Sequence, residues 1–117
     1  MPYIAVNTSQ TVSEEQKVAL KSYFGEKIGT ITGKRESGLM VHIKGEETMY
    51  FAGEDTPAAF VEIRLFGPAP FSEKNDFANL VYTGLNDILS IDTKRIYINF
   101  AEFLEWGSGA VYKEKQL

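Results

Sequence analysis

The pattern of apolar and polar residues begins with a strand and continues with a helix. Residues Tyr3 to Val6 form an apolar run of strand length, and a polar, turn-like stretch follows it. At Ser13 the sequence Ser-Glu-Glu-Gln has the capping-box pattern typical of a helix N-terminus, and Gly33 is expected to end that helix. The apolar residues between them recur at helical spacing: Leu20, Phe24, Ile28 and Ile31. Residues Leu39 to Ile43 then predict a second strand.

The second half of the chain repeats this order. Its longest strand candidate is Ala58 to Phe66, in which alternate side chains point to opposite faces. One face carries Ala59, Val61, Ile63 and Leu65, and the other carries Phe60, Glu62, Arg64 and Phe66. Ser72 is expected to cap a second helix, and the small residue Gly84 in its apolar stripe would let that helix pack closely. Residues Arg95 to Phe100 predict the last strand.

Two successive strand–helix–strand units predict the fold class. We expect one α/β (α+β) domain over 1–117, built from two βαβ halves at about 1–56 and 57–117. Right-handed crossovers give parallel pairs within each unit, which yields a four-stranded mixed sheet with both helices on one face. The opposite face would carry Phe60, Phe66 and Tyr97 without a helix to cover them. An uncovered, partly apolar face predicts another copy of the same chain as partner.

Composition removes several classes of function. The chain of 117 residues has a formal net charge of −4 and no run of Lys or Arg, which argues against nucleic acid as the main partner. It has no cysteine, and its single histidine, His42, argues against a histidine metal site or a serine–histidine triad. No apolar run approaches the roughly 20 residues that span a membrane.

The N-terminus also bears on location. No basic region followed by an apolar block is present, so we expect no signal peptide. The expected location is therefore cytoplasmic, with unconventional secretion left open by the sequence.

Pro2, directly behind the initiator methionine, is the first candidate for chemistry. A small residue at this position usually allows the methionine to be removed, which would leave proline as an N-terminal secondary amine. The strand behind Pro2 would carry this amine into a poorly solvated place, and burial lowers the pKa of an amine. A neutral amine can act as a general base. The plainer alternative is that proline at position 2 is common and has no role.

Short segments in a fixed order point to a known family. They are Met1-Pro2, Thr32-Gly33-Lys34, Leu39-Met40-Val41, Met49-Tyr50-Phe51-Ala52-Gly53, Pro57-Ala58-Ala59, Gly67 and Arg95-Ile96-Tyr97-Ile98-Asn99-Phe100. With these segments the sequence resembles the macrophage migration inhibitory factor family of the tautomerase superfamily. The resemblance implies duplicated β-α-β units and a homotrimer in which three sheets surround a central barrel.

The resemblance also implies an activity, the keto–enol tautomerisation of aryl pyruvates such as phenylpyruvate and 4-hydroxyphenylpyruvate. The substrate would be a small aromatic 2-keto acid, and the reaction needs no cofactor or metal. Pro2 matches the catalytic proline of the family, and Lys34 matches the lysine that binds the substrate carboxylate. Phe66 stands where the family has an apolar pocket residue.

Three further residues complete the implied substrate site. Tyr97 and Asn99 match a pair that the neighbouring subunit delivers, and Trp106 belongs to the aromatic C-terminal segment. Ser108 and Gly109 replace the second half of that segment, so the resemblance does not extend to all of the aromatic floor of the pocket.

Each match has a plainer alternative. Lys34 could interact with the C-terminal end of the first helix, Tyr97 could be an ordinary strand residue, and Trp106 could be interface packing. The alternative function is a cytokine-like or surface-binding protein on a tautomerase scaffold, with a protein receptor as partner. No arginine lies in residues 8–11, which argues against the haloacrylate dehalogenases of the superfamily.

Overall fold

The computed structural model describes residues 1–117, which form six strands and two α-helices. In chain order they are β1 (Pro2–Thr8), α1 (Glu14–Lys27), β2 (Met40–Lys44), β3 (Ala59–Phe66), α2 (Phe71–Leu89), β4 (Ile96–Phe103), β5 (Glu105–Ser108) and β6 (Val111–Glu114). Neither helix combines the length and the apolar content that crossing a membrane requires.

The first four strands form one mixed sheet in the order β2-β1-β3-β4. The pairs β1–β2 and β3–β4 are parallel, and β1 and β3 pair antiparallel in the centre. Each parallel pair is joined by a helical crossover, as expected for a βαβ unit. The predicted four-stranded mixed sheet with duplicated β-α-β units is therefore confirmed.

The first helix begins where the capping box predicts. The Ser13 hydroxyl accepts a hydrogen bond from the Gln16 backbone N–H at 3.1 Å, and the Gln16 side chain accepts one from the Ser13 N–H at 2.9 Å. The helix ends earlier than expected, at Lys27, and a 3₁₀ turn over Ile28–Thr30 replaces its last turn. Ile31 is fully buried all the same, because the turn still directs it into the core.

The start of the second helix differs from the prediction. Helix α2 begins at Phe71, and Pro70, not Ser72, occupies the N-cap position without a side-chain cap. Pro70 has an extended conformation (φ −60°, ψ 142°), and its carbonyl oxygen accepts from the Lys74 N–H at 3.1 Å. The proline ring fixes φ near this value, so the chain turns into the helix two residues before the serine.

Both helices pack on one face of the sheet, as predicted. The core is a cluster of 17 buried residues that includes Val61, Ile63 and Leu65 of β3 and the Phe24 and Phe77 side chains of the helices. Burying this apolar surface is the main favourable term for the fold.

The opposite face of the sheet carries no helix. Tyr97 is 59% exposed there, and its ring lies edge-on to Phe60 at 6.2 Å. Phe66 was expected to be uncovered on this face too, but it is only 7% exposed. The Trp106 ring, 6.3 Å away, and the Lys115 side chain cover it.

The cover comes from a hairpin, β5–β6, that the sequence did not predict. Its strands pair antiparallel from Glu105↔Glu114 to Ser108↔Val111. The ladder continues one step beyond these strands, where the Lys115 N–H donates to the Leu104 carbonyl oxygen at 2.7 Å. This hairpin closes the end of the sheet at which β1 begins.

Candidate active site

The start of β1 opens into a cavity of about 690 Å³. β1 contributes Pro2 and Tyr3 to its wall, and the hairpin contributes Trp106, Ser108 and Tyr112. The remaining lining residues are Met1, Ser37, Gly38, Leu39, Met40, Arg64, Phe103, Glu105 and Gly107. The N-terminus of the chain therefore lies in a cavity of small-molecule size.

The N-terminal amine lies in surroundings that favour its neutral form. The pKa of the Met1 amine is lowered, first by burial and then by the charges of Lys34, Lys115 and Lys113. Pro2, the next residue, is itself buried. A base at this end of β1 is therefore less protonated than an amine in water.

Lys34 and Phe66 line a neighbouring cavity of about 430 Å³ together with Lys115. The Lys34 ammonium donates a hydrogen bond to the Phe66 carbonyl oxygen at 3.1 Å, so it is directed toward the end of β3 rather than toward the last carbonyls of α1. The pKa of Lys34 is lowered by burial and by the charge of Lys115.

Trp106 links the two cavities. Its ring lies 6.3 Å from Phe66, which lines the smaller cavity, and 6.2 Å from Phe103, which lines the larger one. Four of the predicted residues, namely Pro2, Lys34, Phe66 and Trp106, are thus grouped around the N-terminus.

Tyr97 and Asn99 are not part of this group in the single chain. The β1–β3–β4 register places Pro2 opposite Leu65, and Leu65 opposite Glu102. Tyr97 precedes Glu102 by five residues, which is about 16 Å along a strand, and Asn99 precedes it by three, about 10 Å. Both residues lie farther along the edge strand β4.

His42 has a structural partner. Its Nδ1 lies 2.9 Å from the Tyr3 hydroxyl, which makes this histidine a hydrogen-bonded residue of β2. No group of three or more His, Cys, Asp or Glu side chains is arranged to hold a metal ion.

Sequence reasoning missed the contribution of the last residues. The charges of Lys113 and Lys115 lower the pKa of the N-terminal amine, and Tyr112 lines the larger cavity. The alternation Lys113-Glu114-Lys115 is only a weak indication of a binding site, because the same pattern is typical of an exposed strand. Only the docking of the hairpin reveals their position.

Comparison with known proteins identifies the family. The family model described as macrophage migration inhibitory factor (MIF) matches residues 1–111. The MIF homolog of Trichuris trichiura is 30% identical over 102 residues, covering 87% of this chain and 89% of that protein, and the homolog of Brugia malayi is 28% identical over 102 residues, covering 87% and 88%.

Solved structures share the fold. The crystal structure of Leishmania major MIF2 superposes with a TM-score of 0.91 at 19% identity, covering 97% of each chain. The MIF homologue of Prochlorococcus marinus gives a TM-score of 0.83 at 24% identity, covering 94% of this chain and 97% of that one. The family match over almost the whole chain, together with the duplicated β-α-β fold, shows that this chain belongs to the macrophage migration inhibitory factor family, a family of proteins on the tautomerase scaffold.

Proposed function

We propose that this chain, once Met1 is removed, is a tautomerase that interconverts the keto and enol forms of aryl pyruvates with the Pro2 amine as general base. The observation that carries the proposal is the position of the N-terminus. The chain begins in a cavity of about 690 Å³, where burial and three lysines lower the pKa of an amine.

Removal of Met1 is essential to this proposal. While Met1 is attached, the Pro2 nitrogen is a tertiary amide that can neither accept a proton nor donate one. Met1 itself lines the cavity, so its loss would both free the amine and enlarge the space for substrate. Pro2 follows Met1 directly and is buried, so burial and the nearby lysines would lower the pKa of its amine as well.

The reaction then needs two proton transfers, one to the Pro2 amine and one from it. The neutral Pro2 amine takes a proton from the carbon next to the keto group, and the electron pair of the broken C–H bond forms the enol double bond. The carbonyl π electrons move to the oxygen, which receives the proton from the Pro2 ammonium. A base positioned in this way contributes about 10²- to 10⁴-fold to the rate.

The surrounding residues suit an aromatic keto acid. Lys34 supplies a cation for the carboxylate, while Phe66 and Trp106 offer aromatic surface for the ring. We assign Tyr97 and Asn99 to the site of a neighbouring chain in a homotrimer, where they would orient or polarise the keto oxygen. Their exposure on the uncovered sheet face and their distance from Pro2 in their own chain support this assignment.

The test combines intact mass with an absorbance assay of phenylpyruvate enol–keto conversion. Two preparations of the same chain, one with Met1 and one with Met1 removed by an aminopeptidase, form a matched pair. Turnover is expected only after removal. In the trimmed protein, Pro2→Gly is expected to lose about 10²-fold or more while the assembly and the fold are kept.

Full activity of Pro2→Gly, or of the chain that retains Met1, would contradict the role of the amine. If the trimmed wild-type chain does not turn over aryl pyruvates and its amine titrates like one in water, the scaffold serves another purpose, such as recognition of a protein receptor through its surface.

A further inference from the structure

A lysine outside the family-matched segment lies in the proposed substrate site. Lys115 follows β6 directly, four residues beyond the last residue that the family model matches, 111. It lines the same cavity as Lys34 and Phe66. Its backbone N–H donates to the Leu104 carbonyl oxygen at 2.7 Å, which fixes where its side chain leaves the hairpin.

The side chain of Lys115 packs against Phe66 and Gly67. Its ammonium lies 5.3 Å from the centre of the Phe66 ring, a cation–π distance. Its aliphatic stem crosses Gly67, where a Cβ atom would come within 2.9 Å of the Lys115 Cε. Gly67 has a φ of +87°, a conformation that also favours glycine. Because glycine has no side chain, the Lys115 stem can occupy the space next to it.

The charges in this cavity are not balanced. The salt bridges of the chain join Lys17 to Glu14 and Lys74 to Glu102, so neither Lys34 nor Lys115 has an acidic partner. Glu73 lines the cavity, but its two carboxylate oxygens accept from the backbone N–H and the hydroxyl of Thr32, at 2.8 and 3.0 Å. Lys34 and Lys115 together carry two positive charges and Glu73 carries one negative charge. The lining of this cavity therefore has an excess of one positive charge, which one bound anion would balance.

We propose that Lys115 binds the substrate carboxylate together with Lys34, so that the C-terminal hairpin supplies a second cation to the site. This rests on the proposed function for the identity of the substrate, but the carboxylate site can be tested without turnover. Lys34 already uses one donor on the Phe66 carbonyl oxygen, and a second ammonium gives each carboxylate oxygen a donor of its own.

The experiment measures binding of an unreactive probe to the trimmed protein. 3-Phenylpropanoate carries the ring and the carboxylate without the keto group, and 3-phenylpropanamide is its neutral counterpart. Lys115→Met keeps the aliphatic stem over Gly67 and Phe66 and removes the charge, and Lys115→Arg keeps a charge. Lys21→Met, on the exposed side of α1, removes one positive charge elsewhere and is the control.

Lys115→Met is expected to weaken binding of 3-phenylpropanoate about tenfold and to leave binding of the amide unchanged, because a charge-assisted hydrogen bond is lost. Lys115→Arg should bind the carboxylate within about threefold of the wild type, and Lys21→Met should bind it as the wild type does. The KM for phenylpyruvate should rise with the dissociation constant of the probe.

Equal loss of carboxylate and amide binding would show that Lys115 acts through packing, and would overturn the proposal. Unchanged carboxylate binding in Lys115→Met, or no carboxylate binding by the wild type, would also overturn it. If Lys115→Met loses carboxylate binding and the wild type nevertheless shows no turnover, the carboxylate site stands and the proposed reaction fails. If the wild type turns over phenylpyruvate and Lys115→Met binds 3-phenylpropanoate as the wild type does, the proposed reaction stands and the role of Lys115 fails.

Discussion

The charge state of one nitrogen decides what the N-terminal cavity can do. Protonation of an amine at this position is opposed by burial first, and then by Lys34, Lys115 and Lys113. A general base works only in its unprotonated form, so a lowered pKa extends the active range toward lower pH. In the proposed reaction the lysines would therefore have two effects, since they would attract the substrate carboxylate and would keep the base neutral.

This gives a prediction for the pH dependence of the trimmed enzyme. The kcat/KM for phenylpyruvate should rise with pH as Pro2 loses its proton, and should reach its plateau below the pKa of an ordinary proline amine. Lys34→Met removes a nearby positive charge, so it should raise the pKa of Pro2 and move the rising limb to higher pH. Lys21→Met is the control and should not move it. A limb that stays in place in Lys34→Met would show that the charge of Lys34 does not contribute to the lowered pKa.

At this scale the sequence identifies some residues better than others. Pro2 can be singled out because its role depends only on its position behind Met1, and Lys34 because the segment Thr32-Gly33-Lys34 has a family counterpart. Lys115 could not be singled out, because its place in the site depends on how a hairpin docks against Phe66 and Gly67.

Among the elements, the contact between α1 and α2 shows how one small residue sets a packing distance. Gly84 was expected to permit close approach of α2, and it does, because a Cβ atom at this position would overlap the ring of Tyr23 on α1. The ring has little freedom to move away, since the Tyr23 hydroxyl donates to the Leu80 carbonyl oxygen at 2.6 Å.

We predict that Gly84→Ala lowers the free energy of unfolding by about 1 kcal/mol. Alanine gains up to about 1 kcal/mol over glycine in a helix, but overpacking against a fixed ring costs about 1–3 kcal/mol. Chemical denaturation measures the difference. Gly29→Ala, in the 3₁₀ turn after α1, is the control for the same substitution without a clash: its Cβ would meet no atom closer than 4.0 Å, so the free energy of unfolding should be unchanged or higher. A stabilised Gly84→Ala would mean that the helices separate at little cost.

The elements that periodicity can reveal were predicted, and those that depend on turn geometry were not. The two βαβ units follow from apolar spacing over long segments. The hairpin β5–β6 turns through Gly109 and Ala110, both with positive φ (60° and 62°). Alanine is a poor residue for that conformation and gives no turn signal, so the pairing of β5 with β6 on either side of the turn must impose it. The start of α2 was wrong for a similar reason, because Pro70 overrode the serine signal.

For the whole molecule, the uncovered face of the sheet is the feature that a single chain leaves without a partner. Tyr97 lies there at 59% exposure beside Phe51 and Phe60, with ring-centre distances of 5.0 and 6.2 Å. β2 and β4, at the two edges of the sheet, are also free to pair with other chains. The proposed homotrimer would bury this face and bring Tyr97 and Asn99 of one chain to the Pro2 of the next.

The proposed homotrimer leads to a prediction that sedimentation alone cannot test, because it assigns the residues of each site to two different chains. Pro2→Gly and Asn99→Ala should each lower activity when assembled alone. After unfolding and refolding together in equal amounts, about a quarter of the sites should pair an intact Pro2 from one chain with an intact Asn99 from the other, and activity should return to about that fraction of the wild type. If both residues acted within one chain, no mixed assembly would restore a complete site and the refolded mixture would stay as inactive as its components. Each variant refolded separately is the control for the procedure, and a sedimenting species of monomer mass at micromolar concentration would contradict the assembly itself.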